Sequence, residues 1–154
     1  MTGRPFFTWR PEAQKRKWVE LEGQVADGVA ARLTTMRSLA RQFEATETYD
    51  GQTFSLRLMP APLHRYSDER SGVVDGALFS LANGTNPEVL IQIEARREAN
   101  DPARWFASTA RLSAASLVTQ VAGKTEWTAD AVGPFEHDPK AAYYAAWSED
   151  PVPE

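Results

Sequence analysis

Asp75 is the residue whose type and position ask for chemistry. It lies in the run Val73-Val74-Asp75-Gly76-Ala77-Leu78-Phe79-Ser80-Leu81, where Val73, Ala77, Phe79 and Leu81 share its face. A carboxylate on an apolar face must be paired, or its pKa rises sharply. Three readings follow: a site carboxylate, a bridge to a cation on a facing element, or a strand-end group. In the last, the polar loop 67–72 or a bulge at Asp75-Gly76 admits water. The facing cation would be Arg32, which falls in an apolar helical stripe between Val29 and Met36. Arg there either lays its methylenes along the core edge with its guanidinium in water, or bridges helix to sheet, which enforces one packing more than it adds stability. Glu94 and Arg57 fall on the opposite sheet face with Arg96, Gln92, Ser80 and Leu90. That is the composition of a solvated sheet face, with a concave ligand groove as the functional alternative. Arg32, Arg57, Asp75 and Glu94 are therefore the ligand-binding candidates, as polar groups of a pocket between helix and sheet.

Nothing completes a catalytic set. His64, beside Arg65 and Tyr66, and His137 are the only histidines, and they lie in separate segments with no metal-ligand spacing. Glu136-His137-Asp138 has a metal-friendly composition but no helical i, i+4 pair. Ser67 and Ser71 lack a Gly-x-Ser-x-Gly elbow, and Gly72, Gly76 and Gly84 form no phosphate-loop pattern. With no cysteine, disulfides, zinc–thiolate sites, iron–sulfur clusters and thiol nucleophiles are excluded. The expectation is no catalytic residue, no metal and no cofactor.

The chain of 154 residues, 42% hydrophobic and 25% charged, has the composition of one globular domain. Its formal net charge of −4 argues against a nucleic-acid partner, which calls for a basic surface. The opening MTGRPFFTWRPE has no apolar h-region, and no stretch approaches the ~18 apolar residues of a membrane span. Cytoplasmic placement is the default expectation, although an exported mature form would read the same.

The positioning elements follow from periodicity. Pro11-Glu12 reads as a helix start, and Trp18, Leu21, Val25, Val29, Leu33, Met36, Leu39, Ala40 and Phe43 fall in a stripe about 120° wide. Unbroken from Pro11 to Ala45, that helix would be about 50 Å long, overhanging a domain of radius near ~15 Å. Gly23 marks the break, leaving a main helix from about Gln24 to Ala45. The period then changes to two at Phe54, Leu56 and Leu58, and Pro60 and Pro62 demote the next piece to an edge strand or crossing. Val73–Arg97 is a hairpin. A two-residue turn at Asn83-Gly84 would set Phe79 against Glu88, whereas an odd-length loop pairs Leu81 with Val89, Phe79 with Ile91 and Ala77 with Ile93. The buried face decides for the odd loop. Strands at Arg104–Leu112, Ser116–Val121 and Thr125–Trp127 follow, and the small run Ala107–Ala110 offers a helix close approach.

The resulting expectation is an α+β fold: a long N-terminal amphipathic helix packed on a curved antiparallel meander of about five to six strands. Residues 1–23 are an extension or first helix segment, 24–128 a single α+β domain, and 129–154 an acidic, aromatic tail.

The pattern Asp75-Gly76-Ala77-Leu78-Phe79, Gly84-Thr85-Asn86-Pro87-Glu88-Val89-Leu90, Glu94-Ala95-Arg96 and Trp105, with Leu56-Arg57-Leu58 and Pro62–Tyr66 before it, resembles a family of uncharacterised proteins from planctomycete genomes. The likeness spans about Ala31 to Trp127. It implies a single domain and carries no activity and no catalytic residue. Function is instead read from the ends. Phe6, Phe7, Trp9 and Trp18 at one end and Phe135, Tyr143, Tyr144 and Trp147 at the other are residue types enriched at interfaces. A non-enzymatic binding or assembly domain, with a protein partner or a second copy, is the first reading. A small-molecule binder or weakly specified enzyme with a pocket between helix and sheet is the second.

Overall fold

The apolar run at the centre of the chain forms its longest hairpin. Ala77 lies opposite Ile93, Phe79 opposite Ile91 and Leu81 opposite Val89, all six fully buried. This is the register that the buried face demands. The tip differs from an odd loop. Asn83 pairs with Asn86 across a two-residue Gly84-Thr85 turn, and the register shifts between Leu81 and Ala82, so that Glu88 becomes the extra residue of a bulge. A two-residue turn and the odd register thus coexist, because the bulge absorbs one residue.

In this computed structural model, residues 16–132 are described in full and segments 4–9 and 143–148 as backbone strands. The elements in chain order are β1 (Arg4–Trp9), β2 (Trp18–Leu21), α1 (Val29–Ala40), β3 (Phe43–Tyr49), β4 (Gln52–Leu58), β5 (His64–Asp68), a 3-10 turn (Glu69–Ser71), β6 (Val73–Asn83), β7 (Asn86–Arg96), β8 (Arg104–Arg111), β9 (Ser116–Val121), β10 (Lys124–Ala129) and β11 (Tyr143–Ser148). Eight strands in the order β10-β9-β3-β4-β6-β7-β8-β2 curl into a half-barrel, and β5 pairs with the first part of β6. β1 and β11 form a separate antiparallel ribbon.

The α+β expectation is overturned: among the fully described residues 56% are strand and 13% helical, with one short α-helix. The helical stripe was over-extended at both ends. Gly23 adopts φ +132, a conformation that only glycine enters freely, and Gly28 is the extended N-cap of α1. Upstream, Trp18 and Leu21 lie in β2, paired with β8. Downstream, Phe43, Ala45 and Glu47 alternate inward along β3. A short strand carrying apolar residues at i and i+3 is indistinguishable from a helical turn by spacing alone. Val29, placed in the stripe, is 60% exposed. The strand count exceeds five to six for the same reason, since β2 and the start of β3 (residues 43–45) carry the helical spacing.

α1 lies chiefly against β6 and β7, not over the small run on β8, whose edge is taken by β2. Met36, Leu39 and Ala40 from the helix meet Phe43, Phe79, Leu81, Ile91, Trp105 and Leu117 from the sheet in one apolar core. One glycine has a strict backbone requirement. Gly72 closes the 3-10 turn at φ +76, and a Cβ there would lie 2.6 Å from the Arg97 carbonyl oxygen.

Candidate functional site

On the inner face, Asp75 is 4% exposed and paired twice. Arg32 Nε donates to Oδ2 at 2.8 Å, while Arg65 donates through Nε to Oδ1 at 2.9 Å and through Nη2 to Oδ2 at 2.6 Å. Burial alone would raise the carboxyl. The Arg65 and Arg32 hydrogen bonds outweigh it and hold the group below its usual range. The arginines also reach the backbone around the helix start: Arg32 Nη1 donates to the Asp27 oxygen at 2.5 Å, and Arg65 Nη2 to the Val29 oxygen at 2.7 Å. The cluster pins the start of α1 to β5 and β6. With both carboxylate oxygens occupied, it is a latch rather than a site.

The outer face is not the solvated surface its composition suggests. Ser80, Leu90, Glu94 and Ser108 are all buried. Tyr66 of β5 crosses this face above Gly76, where a Cβ would lie 2.7 Å from its ring. The Tyr66 hydroxyl donates to Glu94 Oε1 at 2.5 Å and accepts from Gln92 Nε2. Gln92 Nε2 also donates to Glu94 Oε1 at 2.8 Å, Arg16 Nη1 donates to Gln92 Oε1 at 2.6 Å, and Arg96 Nε donates to Glu94 Oε2 at 2.5 Å. Burial pushes the Tyr66 hydroxyl far above its ordinary range, and Glu94 adds to the shift. Tyr66 therefore stays protonated and serves as a fixed donor to Glu94.

A cleft of about 180 Å³ opens beside this network, floored by Leu78, Leu90 and Ala110 and edged by Arg16, His64, Tyr66, Gln92 and Ser108. The His64 and Tyr66 rings stack at 5.9 Å with 11° between planes. Ser108 Oγ is buried with no hydrogen-bond partner, a cost that a polar ligand atom would relieve.

Two further polar clusters stand apart from this cleft. Arg57 Nη2 donates to the Gly84 oxygen at 2.9 Å, and Arg57 lines a separate cleft with Arg37 and Arg41 at the end of α1. At the hairpin tip, Asn83 Nδ2 donates to the buried Glu47 and Asn86 Nδ2 to the buried Glu88, each at 2.6 Å. Burial pushes the Glu88 carboxyl above its usual range, and the Glu47 charge acts the same way. Among the described residues no group of three or more histidines and acids is arranged to hold a metal, and no helix is long and apolar enough to cross a membrane.

The four ligand-binding candidates therefore do not converge. Arg32 and Asp75 meet in the latch, Glu94 anchors the outer-face network, and Arg57 stands near the hairpin tip. Along the buried face of α1, Met36, Leu39 and Ala40 pack directly on the sheet, and no pocket gathers the four residues there. Of the partner-binding candidates, Trp18 packs beneath Arg96, whose guanidinium lies 3.7 Å from the ring centroid. Phe6, Phe7 and Trp9 fall on β1, and Tyr143, Tyr144 and Trp147 on β11. Phe135 and His137 lie outside the described residues. Sequence reasoning missed Arg65, Tyr66 and Ser108 as site residues. Tyr66 carried a usable signal, an aromatic opposite a glycine on the neighbouring strand.

Comparison with protein families, curated proteins and solved structures found no match.

Proposed function

We propose that this protein is a non-catalytic binding domain whose outer-face cleft takes a small planar ring bearing a carbonyl or carboxylate. The observation that carries the reading is the buried, unpartnered Ser108 hydroxyl lining an otherwise organised cleft. The hydrogen-bond inventory sets the ligand class. Both oxygens of Glu94 and both amide hydrogens of Gln92 are already engaged. What remains is mainly donors: the Ser108 hydroxyl and the other N–H groups of Arg16. An acceptor-bearing ligand matches them. Leu78, Leu90 and Ala110 supply an apolar floor for a ring, and the His64–Tyr66 stack supplies an aromatic wall. The fixed protonation of Tyr66 supports binding rather than proton transfer. Titration of 4-fluorobenzoate and 4-fluorobenzamide followed by fluorine NMR tests the reading. A ligand of this size, at about 0.3–0.5 kcal/mol per heavy atom, binds in the millimolar range. Ala110→Leu, which fills the floor, abolishes the response, and Ser108→Ala weakens it several-fold. Binding that is indifferent to both substitutions refutes the site.

The pairing of β1 with β11 favours a second reading, assembly through the chain ends. Their register pairs Pro5 with Trp147, Phe7 with Ala145 and Trp9 with Tyr143, which brings aromatic residues of both segments into one ribbon, the residue types enriched at interfaces. Light scattering on the full chain and on Trp9→Ser/Trp147→Ser tests it: a dimer reduced to monomer supports the reading, and the same mass for both proteins rejects it.

A further inference from the structure

The end of α1 and strand β4 bring three arginines to one cavity. Arg37 and Arg41 come from the last helical turn and its cap, and Arg57 from β4. They line about 310 Å³ of space together with Leu58, Pro60 and the buried Phe79. Among the described residues no carboxylate lines the cavity and none of the three arginines makes an ion pair. Arg57 spends one N–H on the Gly84 oxygen, and Arg37 Nε is buried without a hydrogen-bond partner. Two of these cations complement the helix C-terminus, which favours positive charge. That accounts for Arg37 and Arg41 as residue types. It does not account for a third cation brought in from another element, nor for a buried donor left unsatisfied in a chain of net charge −4.

We infer that this cavity is an oxyanion site for a phosphate group carried on an apolar chain or ring. Guanidinium groups present planar forks of N–H donors that match tetrahedral oxyanions in bidentate fashion. A doubly charged group with three free oxygens can engage all three arginines at once, relieve their mutual repulsion and satisfy Arg37 Nε. Leu58 and Pro60 form an apolar surface beside the charges, so the body of the ligand adds affinity that inorganic phosphate lacks. The site lies on the inner side of β6, because Phe79 faces the core. It is separate from the outer-face cleft and uses none of its residues.

Isothermal titration of the full chain with octyl phosphate, inorganic phosphate and octyl glucoside, each below micellar concentration, tests the inference. Octyl phosphate binds at least about tenfold more tightly than inorganic phosphate, since each methylene removed from water contributes up to about 0.8 kcal/mol. Octyl glucoside, with the same chain and no charge, shows no comparable binding. Octyl phosphate affinity falls as salt rises from about 50 to about 300 mM. Arg41→Gln and Arg57→Gln, both at exposed positions, each weaken it about tenfold. Arg104→Gln, which loses an exposed pair with Glu20 and a contact over the Phe106 ring, both remote from the cavity, leaves it unchanged. Equal affinity for octyl and inorganic phosphate, equal affinity for octyl glucoside, or indifference to both arginine substitutions overturns the inference. Fluorobenzoate binding by the same variants is a separate readout and stays at the wild-type level.

Discussion

Replacing Asp75 by Asn tests how the helix is held to the sheet. The substitution keeps the shape of the side chain and removes the charge that two arginines address at 2.6–2.9 Å. Breaking a buried pair from one side costs about 3–5 kcal/mol, because the opposing charge stays buried without its partner. Here the loss sits toward the lower end of that range, since Arg32 and Arg65 keep their backbone acceptors near the helix start. In a domain of this length about 3 kcal/mol lowers Tm by roughly 6–12 °C. Urea denaturation of Asp75→Asn, Arg32→Met and the double variant gives the coupling directly, expected at about 1–3 kcal/mol for residues in contact. The pH dependence carries a sign of its own. The folded Asp75 carboxyl lies below its ordinary value, so its stabilisation is complete above the unfolded value near ~3.9 and is lost as pH falls through the folded one. The wild type therefore loses stability below about pH 4 more steeply than Asp75→Asn. Additive single effects, or parallel acid profiles, would refute the latch.

Glu88 behaves in the opposite sense. Its carboxyl is raised by burial, so its favourable contribution is present at pH below the unfolded value and is lost as pH rises through the folded one. Glu88→Gln should gain up to about 1 kcal/mol at pH 7 in urea denaturation and show no gain near pH 4. Gly76→Ala places a methyl 2.7–2.8 Å from two Tyr66 ring atoms. It should cost about 1–3 kcal/mol through overpacking and also abolish fluorobenzoate binding, because Tyr66 forms one wall of the outer-face cleft. Binding retained by a destabilised Gly76→Ala protein would show that the ring does not shape the cleft.

The hairpin register was legible because both strands alternate, and only one pairing sets apolar against apolar from Ala77 to Val89. The bulge at Glu88 was not, because nothing in the alternation distinguishes a long loop from a tight turn with one extra residue. The Arg32–Asp75 bridge could be proposed from two polar residues on two apolar faces. Its second cation could not, because Arg65 sits in a polar, proline-flanked stretch whose facing is fixed only by pairing with β6. The outer face departs from its composition for a physical reason: a polar sheet face ordinarily meets solvent, whereas here Glu94 and Ser80 are buried. The Tyr66 contacts compensate Glu94, leaving Ser80 and Ser108 unsatisfied. The helix was over-read because strands as short as β2 put only two residues on each face.

The central claim, ligand capture at the outer-face cleft, is tested most directly by mapping amide chemical shifts in nitrogen-15-labelled protein on adding 4-fluorobenzoate. The expected shifts concentrate at Leu90, Gln92, Ser108 and Ala110 and at the Gln92 side-chain amide, with the amides around Arg37 and Arg57 unmoved. Shifts centred on the arginine cavity, or spread evenly over the surface, would contradict the claim.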